Sequence, residues 1–181
     1  AVYVDGGRVE TPPSLDLTFE TMQRTGGIGW IGLYRPTLDE IETVAEELEV
    51  HSLVVEDAVA AHQRPKIERY GDILFTVLRP ARYIDDEERV EFGELHVLTG
   101  PRFVVTSRYA ETPDLSKVRT RLEADADLLA LGPEAILYAI LDQVVDEYVP
   151  VVAGLEKDID LIQGLGFDGG ACVSKGSYKP P

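Results

Sequence analysis

The chain has 181 residues, 44% hydrophobic and 28% charged, which suits one domain, or one domain plus an appendage, with a real core. Seventeen Lys and Arg stand against thirty-three Asp and Glu, a net charge of −16 that disfavours nonspecific binding to nucleic acid or anionic membranes and favours cations. The one cysteine, Cys172, excludes an internal disulfide framework and a cysteine-based zinc knuckle. No apolar run approaches the ~18 residues of a membrane span, and AVYVDGG carries no basic segment ahead of an apolar core. A soluble cytoplasmic piece of a longer product, opening at Ala1 without Met, is the expectation.

AVYVDGGRVE predicts a hairpin, with VYV and the segment from Arg8 flanking a Gly-Gly turn. GGIGWIGLYRP predicts a buried strand stopped at Pro36. Thr37 and Glu40 have capping-box spacing, and Leu38, Ile41, Val44, Ala45 and Leu48 predict a helix over about 38–49. A second short helix over about 52–61 precedes the QRPK break. ILFTVLRPARYI, ELHVLTG and RFVVTSRY then read as a strand meander, separated by DDEERVEFG and Gly100-Pro101. From Pro113 the pattern is helical, with Leu115, Val118 and Leu122 on one face, and Gly132-Pro133 begins a helix whose period persists for about thirty residues, roughly 45 Å. Leu137, Ile140, Leu141, Val144, Tyr148 and Val152 are expected to face its own core, whereas Leu155, Ile159 and Ile162 project beyond it. Pro150 removes one of its backbone hydrogen bonds. The organisation is a domain over 1–132, a long helix over 133–163 and an atypical glycine-rich tail over 164–181.

Nucleotide-binding and hydrolytic fingerprints are absent: there is no phosphate-binding glycine loop, and no serine or cysteine stands in a nucleophile setting. His51 and His62 lie eleven residues apart, too far for one metal, and His96 alternates with apolar strand residues. All three read as structural histidines, and no enzymatic role is expected. The carboxylates are more informative. Asp142 and Asp146 share a helix face at i, i+4, and Glu56 with Asp57 could approach that face in the fold. Hard divalent cations take oxygen ligands and keep several waters, so one or two carboxylates suffice. Spacing alone favours the plainer reading, a solvated helix face.

HSLVVEDAVAAHQRPKIERYGDILFTVL, residues 51–78, resembles the signature of the CorA family of magnesium transport channels, H-P-L, E-D, Q-R-P-K-[VI]-E and Y-x-D-x-x-F, with Ser52 in place of proline. The fit runs through His51, Gln63, Arg64, Pro65, Lys66 and Glu68. AILYAILDQVVDEYVPVVAGLEKDID, residues 135–160, is similar to the family's second stretch, and WIGLYRP agrees as well. The resemblance implies an α/β domain, a mixed β-sheet flanked by helices, ending in a long stalk helix. It also implies a divalent-cation-sensing regulatory domain of a channel that transports magnesium, and with it cobalt or nickel, gating by metal bridging between subunits, with magnesium the regulatory ion. Identical subunits, five in the channel, and a transmembrane domain outside these residues are the implied partners, in the inner (plasma) membrane. The regulatory ion would bind weakly, through Asp57, Glu56 and Asp142, with Asp146 a further acidic contact. Arg64 and Lys66 are expected to pair with nearby carboxylates around a turn fixed by Pro65. The alternative is a zinc or other divalent-cation transporter of the same superfamily.

Overall fold

A computed structural model describes residues 1–59 and 63–168, with side chains up to 160 and at 163. The readings of His62, of the Ile162 side chain and of the tail beyond 168 lie outside the described residues. A seven-stranded mixed sheet runs in the order β2-β1-β3-β9-β8-β5-β4. The opening hairpin pairs β1 (Val2–Val4) with β2 (Gly7–Glu10). Its turn holds Asp5 and Gly6 at φ 49° and 76°, the left-handed pair that a tight hairpin requires. The centre is β3 (Ile28–Tyr34), parallel to β9 (Phe103–Arg108). On its other side β9 continues antiparallel through β8 (Leu95–Gly100) and β5 (Ile73–Leu78) to the edge strand β4 (Lys66–Tyr70).

Side chains alternate across this sheet with period two, and the alternation builds two cores. On the first face α1 (Leu15–Thr25), α2 (Leu38–Glu47) and α3 (Ser52–Val59) cover Ile31, Phe75, Val77, Phe103 and Val105. On the second, α4 (Leu115–Glu123), α5 (Ala126–Leu129) and α6 (Pro133–Asp168) cover Trp30, Leu95, Val97 and Val104. The Thr37–Glu40 capping box forms with both of its reciprocal bonds, satisfying N–H groups that the first helical turn leaves unpaired.

Three expectations need correction. ILFTVLRPARYI is not one strand: Arg79-Pro80 divides it, and β6 (Ala81–Ile84) pairs with β7 (Arg89–Phe92) in a separate two-stranded sheet. The inward face of α6 is set by Val144, Val151, Gly154 and Asp158, not by Tyr148 and Val152. Tyr148 is 36% and Val152 54% exposed, whereas Val151 is buried, because the β6–β7 hairpin lies against that side: the Tyr83 ring packs over Gly154 and its hydroxyl donates to Asp158 Oδ2 at 2.7 Å. The long helix also continues through Gly164 and Gly166 to Asp168, past the boundary expected at 163, since glycine costs a helix only ~1 kcal/mol each and does not stop it. Three elements carry no expectation above, α1, β4 and β7. Ser14 caps α1, accepting from Leu17 N, and Phe19 and Met22 at helical spacing bury its face.

Candidate cation-binding surfaces

α3 is an eight-residue helix held by one buried side chain, Val54, against Phe75 and Val77. Its cap is His51, whose Nδ1 accepts from Leu53 N–H at 3.1 Å. Ser52 therefore occupies the first helical position, where the family's proline also fits because no N–H is needed there. Past the helix Gln63 Nε2 donates to the Asp57 carbonyl. Pro65 leads the chain from there into β4, so QRPK is a turn followed directly by a strand.

β4 places Lys66, Glu68 and Tyr70 at alternate positions, hence on one face, and that face is the one α3 covers. Lys66 Nζ lies 2.8 Å from Asp57 Oδ2 and 3.0 Å from Glu68 Oε2. The Tyr70 hydroxyl is shared between the same two carboxylates, at 2.7 and 2.8 Å. The Lys66 hydrogen bond, with that of Tyr70, holds the Asp57 carboxyl below the usual carboxylate range, against a smaller opposing effect of burial. Tyr70 shifts the other way: hydrogen bonds to Asp57 and then Glu68 push its pKa up. The expected pairing of Lys66 is thus present. Arg64 is exposed and makes no ion pair among the described residues. Glu56, one residue before Asp57, is exposed.

Asp142 stands on the opposite side of the molecule. It projects from α6 and takes Arg121 of α4 at 3.0 Å; the same guanidinium nitrogen donates to the Ala139 carbonyl at 3.2 Å. Asp146 lies one turn on and is exposed. The expectation that Glu56 and Asp57 approach the Asp142 face is wrong within one chain: α3 and α6 pack on opposite faces of the seven-stranded sheet. Among the described residues no three His, Cys, Asp or Glu side chains converge on a point that could hold a metal.

Pairing partners are what sequence reasoning missed. Tyr70 was legible in principle, since Lys66, Glu68 and Tyr70 alternate as strand residues do; Arg121 was not, because nothing in the sequence brings residue 121 to residue 142. His96 is structural in its setting: it is 3% exposed, its Nε2 is 2.8 Å from Glu94 Oε1 and it sits against Phe75 and Tyr109. Burial lowers its pKa, partly offset by Glu94.

Comparison with known proteins decides the family. The profile described as "CorA-like Mg2+ transporter protein" matches residues 25–168. The chain belongs to that family. YfjQ of Bacillus subtilis, assigned to metal ion transport, is 37% identical over 134 residues, 74% of this chain and 41% of that protein. The cobalt/magnesium transport protein CorA of Thermotoga maritima is 25% identical over 138 residues, covering 74% and 39%. This CorA-like chain therefore spans about two fifths of the length of these relatives. Among solved structures, the soluble domain of CorA from Methanocaldococcus jannaschii superposes with a TM-score of 0.61 at 14% identity, over 77% of this chain and 56% of the other. The full-length CmaX protein gives 0.63 at 15%, over 81% and 45%. Both share its fold, a mixed sheet between helices with a long C-terminal helix. No helix among the described residues is long and apolar enough to cross a membrane.

Proposed function

We propose that this chain is the cytoplasmic cation-sensing domain of a magnesium transport channel of the plasma membrane, and that the sensed ion sits between neighbouring copies, bound by Glu56 and Asp57 of one and Asp142 of the next. The observation that carries the reading is the placement of these carboxylates on opposite faces of one sheet. A ring of identical subunits joins one surface of each copy to a different surface of its neighbour. Carboxylates on opposite faces of one copy are then the ones that meet across the ring's interfaces.

Two acidic surfaces brought together repel, and a hydrated divalent cation between them offsets that repulsion. In each copy Asp57 is already held by Lys66 and Asp142 by Arg121. The ion must compete with those cations, which keeps its affinity weak. Weak binding suits a sensor, which must release its ion when the intracellular concentration falls; the copies then separate and the pore opens. Five copies around one axis, joined to a transmembrane domain, complete the assembly.

An exposed apolar row on α6 supports association between copies. Tyr138 stands one heptad before Val145, and Val145, Tyr148, Val152, Leu155 and Ile159 follow one another at alternating steps of three and four, all of them exposed, the spacing of a coiled-coil seam. Val145 is 61%, Val152 54% and Ile159 53% exposed.

The test is sedimentation velocity of the chain across a magnesium titration, against a control matched in ionic strength. Association that grows with magnesium and is abolished in Asp57→Ala and in Asp142→Ala supports the reading; association indifferent to magnesium overturns it. The same titration with zinc separates magnesium sensing from the sensing domain of a zinc transporter.

A further inference from the structure

Arg79 follows β5 at the point where the chain leaves the seven-stranded sheet for the β6–β7 hairpin, and it bonds to groups on both faces of that sheet. On the first face its Nη1 donates to the Gln63 carbonyl at 3.4 Å, and Gln63 Nε2 in turn donates to the Asp57 carbonyl in the last turn of α3. On the second face the Arg79 carbonyl accepts from the Tyr148 hydroxyl of α6 at 2.7 Å. Two helices on opposite faces are thereby joined through one residue.

The joint is stiff. Pro80 confines Arg79 to extended backbone, and the Pro80 carbonyl accepts from Gly93 N–H at 2.7 Å. The Arg79 guanidinium lies 3.7 Å from Oε2 of the nearly buried Glu94, whose other oxygen is 2.8 Å from His96 Nε2. A residue fixed at backbone and side chain alike does not absorb movement by swivelling. α3, by contrast, is loosely held: of its eight residues only Val54 is buried, and a helix that short does not sustain itself in water. Its C-terminal half is positioned from outside, by Gln63 on the Asp57 carbonyl, by the Tyr109 hydroxyl on the Ala58 carbonyl at 3.4 Å and by Lys66 and Tyr70 on the Asp57 carboxylate. An element with so few apolar contacts opens at the low end of local stability, so its tethers set where it sits.

We infer that Arg79 is a positioning residue that couples α6 to α3: a displacement of α6 at Tyr148 moves the Arg79 backbone, and the guanidinium carries the movement through Gln63 to the end of α3 that bears Glu56 and Asp57. Its consequence for sensing rests on the proposed function. A cation that draws Asp57 of one copy toward its neighbour then pulls on that copy's α6, and by linkage the position of α6 sets how Asp57 is presented. The coupling itself needs no cation.

The experiment is backbone amide hydrogen exchange of the chain in magnesium-free buffer, in the parent, Tyr148→Phe, Arg79→Met, their double variant and Arg79→Lys. Tyr148→Phe keeps the ring on α6 and deletes only its hydroxyl. The expected result is exchange at least about threefold faster over residues 55–59, on the far face of the sheet, with exchange in α2 and the melting midpoint unchanged. Arg79→Met accelerates the same amides, and Tyr148→Phe adds nothing in that background. Because one nitrogen, Nη1, makes both the Gln63 and the Glu94 contacts, Arg79→Lys restores the protection. Tyr148→Phe tests the coupling even where Arg79→Met leaves Glu94 unpaired and the fold fails. Parent-like exchange over 55–59 in Tyr148→Phe, an equal acceleration by Tyr148→Phe with Arg79 already replaced by Met, or an Arg79→Lys protein that exchanges like Arg79→Met would each overturn the proposal. With no metal present, none of these outcomes depends on the cation reading.

Discussion

Lys66 Nζ sits 2.8 Å from Asp57 Oδ2, so the carboxylate proposed to hold a cation already holds one of its own. Lys66→Met removes that competitor while keeping the apolar stem. The pair is partly exposed, and its loss costs the fold under ~1 kcal/mol. Magnesium-dependent association should then begin at lower magnesium than in the parent, read as a shift in the midpoint of sedimentation titrations. An unchanged midpoint would mean that Asp57 is not a ligand.

The same pair sets a pH dependence. The folded-state pKa of Asp57 is lowered, chiefly by Lys66, so its contribution to stability is fully present above the unfolded value of ~3.9. It is lost as pH falls through the lower folded value, because the unfolded chain binds the proton first. His96 acts at milder pH in the same sense. Burial lowers its pKa, so the ring is neutral in the fold, and stability declines as pH falls from about 6.5, where the unfolded imidazole takes its proton. Melting midpoints should drop below pH 6.5 in the parent and drop less in His96→Gln, while Asp57→Asn should flatten the acid limb below pH 4.

Gly154 lies beneath the Tyr83 ring, where a Cβ would come within 2.6 Å of two ring carbons. Alanine is the better helix former by ~1 kcal/mol, so in an unencumbered helix Gly154→Ala would stabilise. Here it should destabilise by about 1–3 kcal/mol through overpacking, and in a Tyr83→Ala background its sign should reverse. Denaturant unfolding of the four proteins reads the coupling; additivity would show that the hairpin does not clamp α6.

How much of this was legible depends on how local the signal is. The capping box at Thr37 and Glu40 and the helical period along α6 are fixed by neighbours within a few positions and were readable; the opening hairpin was readable too, although its turn is Asp5-Gly6 rather than the expected Gly-Gly pair. β4 was hidden because Lys-Ile-Glu-Arg-Tyr is an edge strand, exposed at Ile67 and Arg69, and so lacks the apolar run that marks buried strands. β7 was hidden in an acidic stretch for the same reason. At the site, the motif resemblance picked out Glu56, Asp57 and Asp142. Their separation by the sheet follows from strand order, a long-range property that no window of sequence carries.

The exposed row on α6 predicts association through the long helix. Leu155 and Ile159, 44% and 53% exposed, are adjacent points of a seam that only a second helix would cover. Leu155→Glu with Ile159→Glu should reduce self-association at rising protein concentration without lowering the melting midpoint, since neither side chain contributes to the domain's own core. A double variant that associates like the parent would exclude this row as a contact.

The shared site makes a prediction about charge that a solvated carboxylate does not. If Asp57 of one copy faces Asp142 of the next, Asp57→Lys turns a repulsion that needs a cation into an attraction that does not, and Glu68 remains to accompany Lys66 within the chain. Asp142→Lys does the same from the other side of the interface. Each single variant should therefore associate without magnesium, and the midpoint of its titration should vanish. Combining the two replaces two acidic groups by two basic ones, restores repulsion, and should abolish association in magnesium and in its absence alike. Close charge pairs across interfaces couple by about 1.5–7 kcal/mol where measured, so even the weak end of that range changes the dimerisation constant by more than about tenfold. Opposite signs of effect in the single and double variants can arise only if the two positions face each other in the assembly, since a change confined to one surface would add without reversing. If both single variants still require magnesium, Glu56 and Asp57 do not meet Asp142, and the ion, if bound, is held elsewhere.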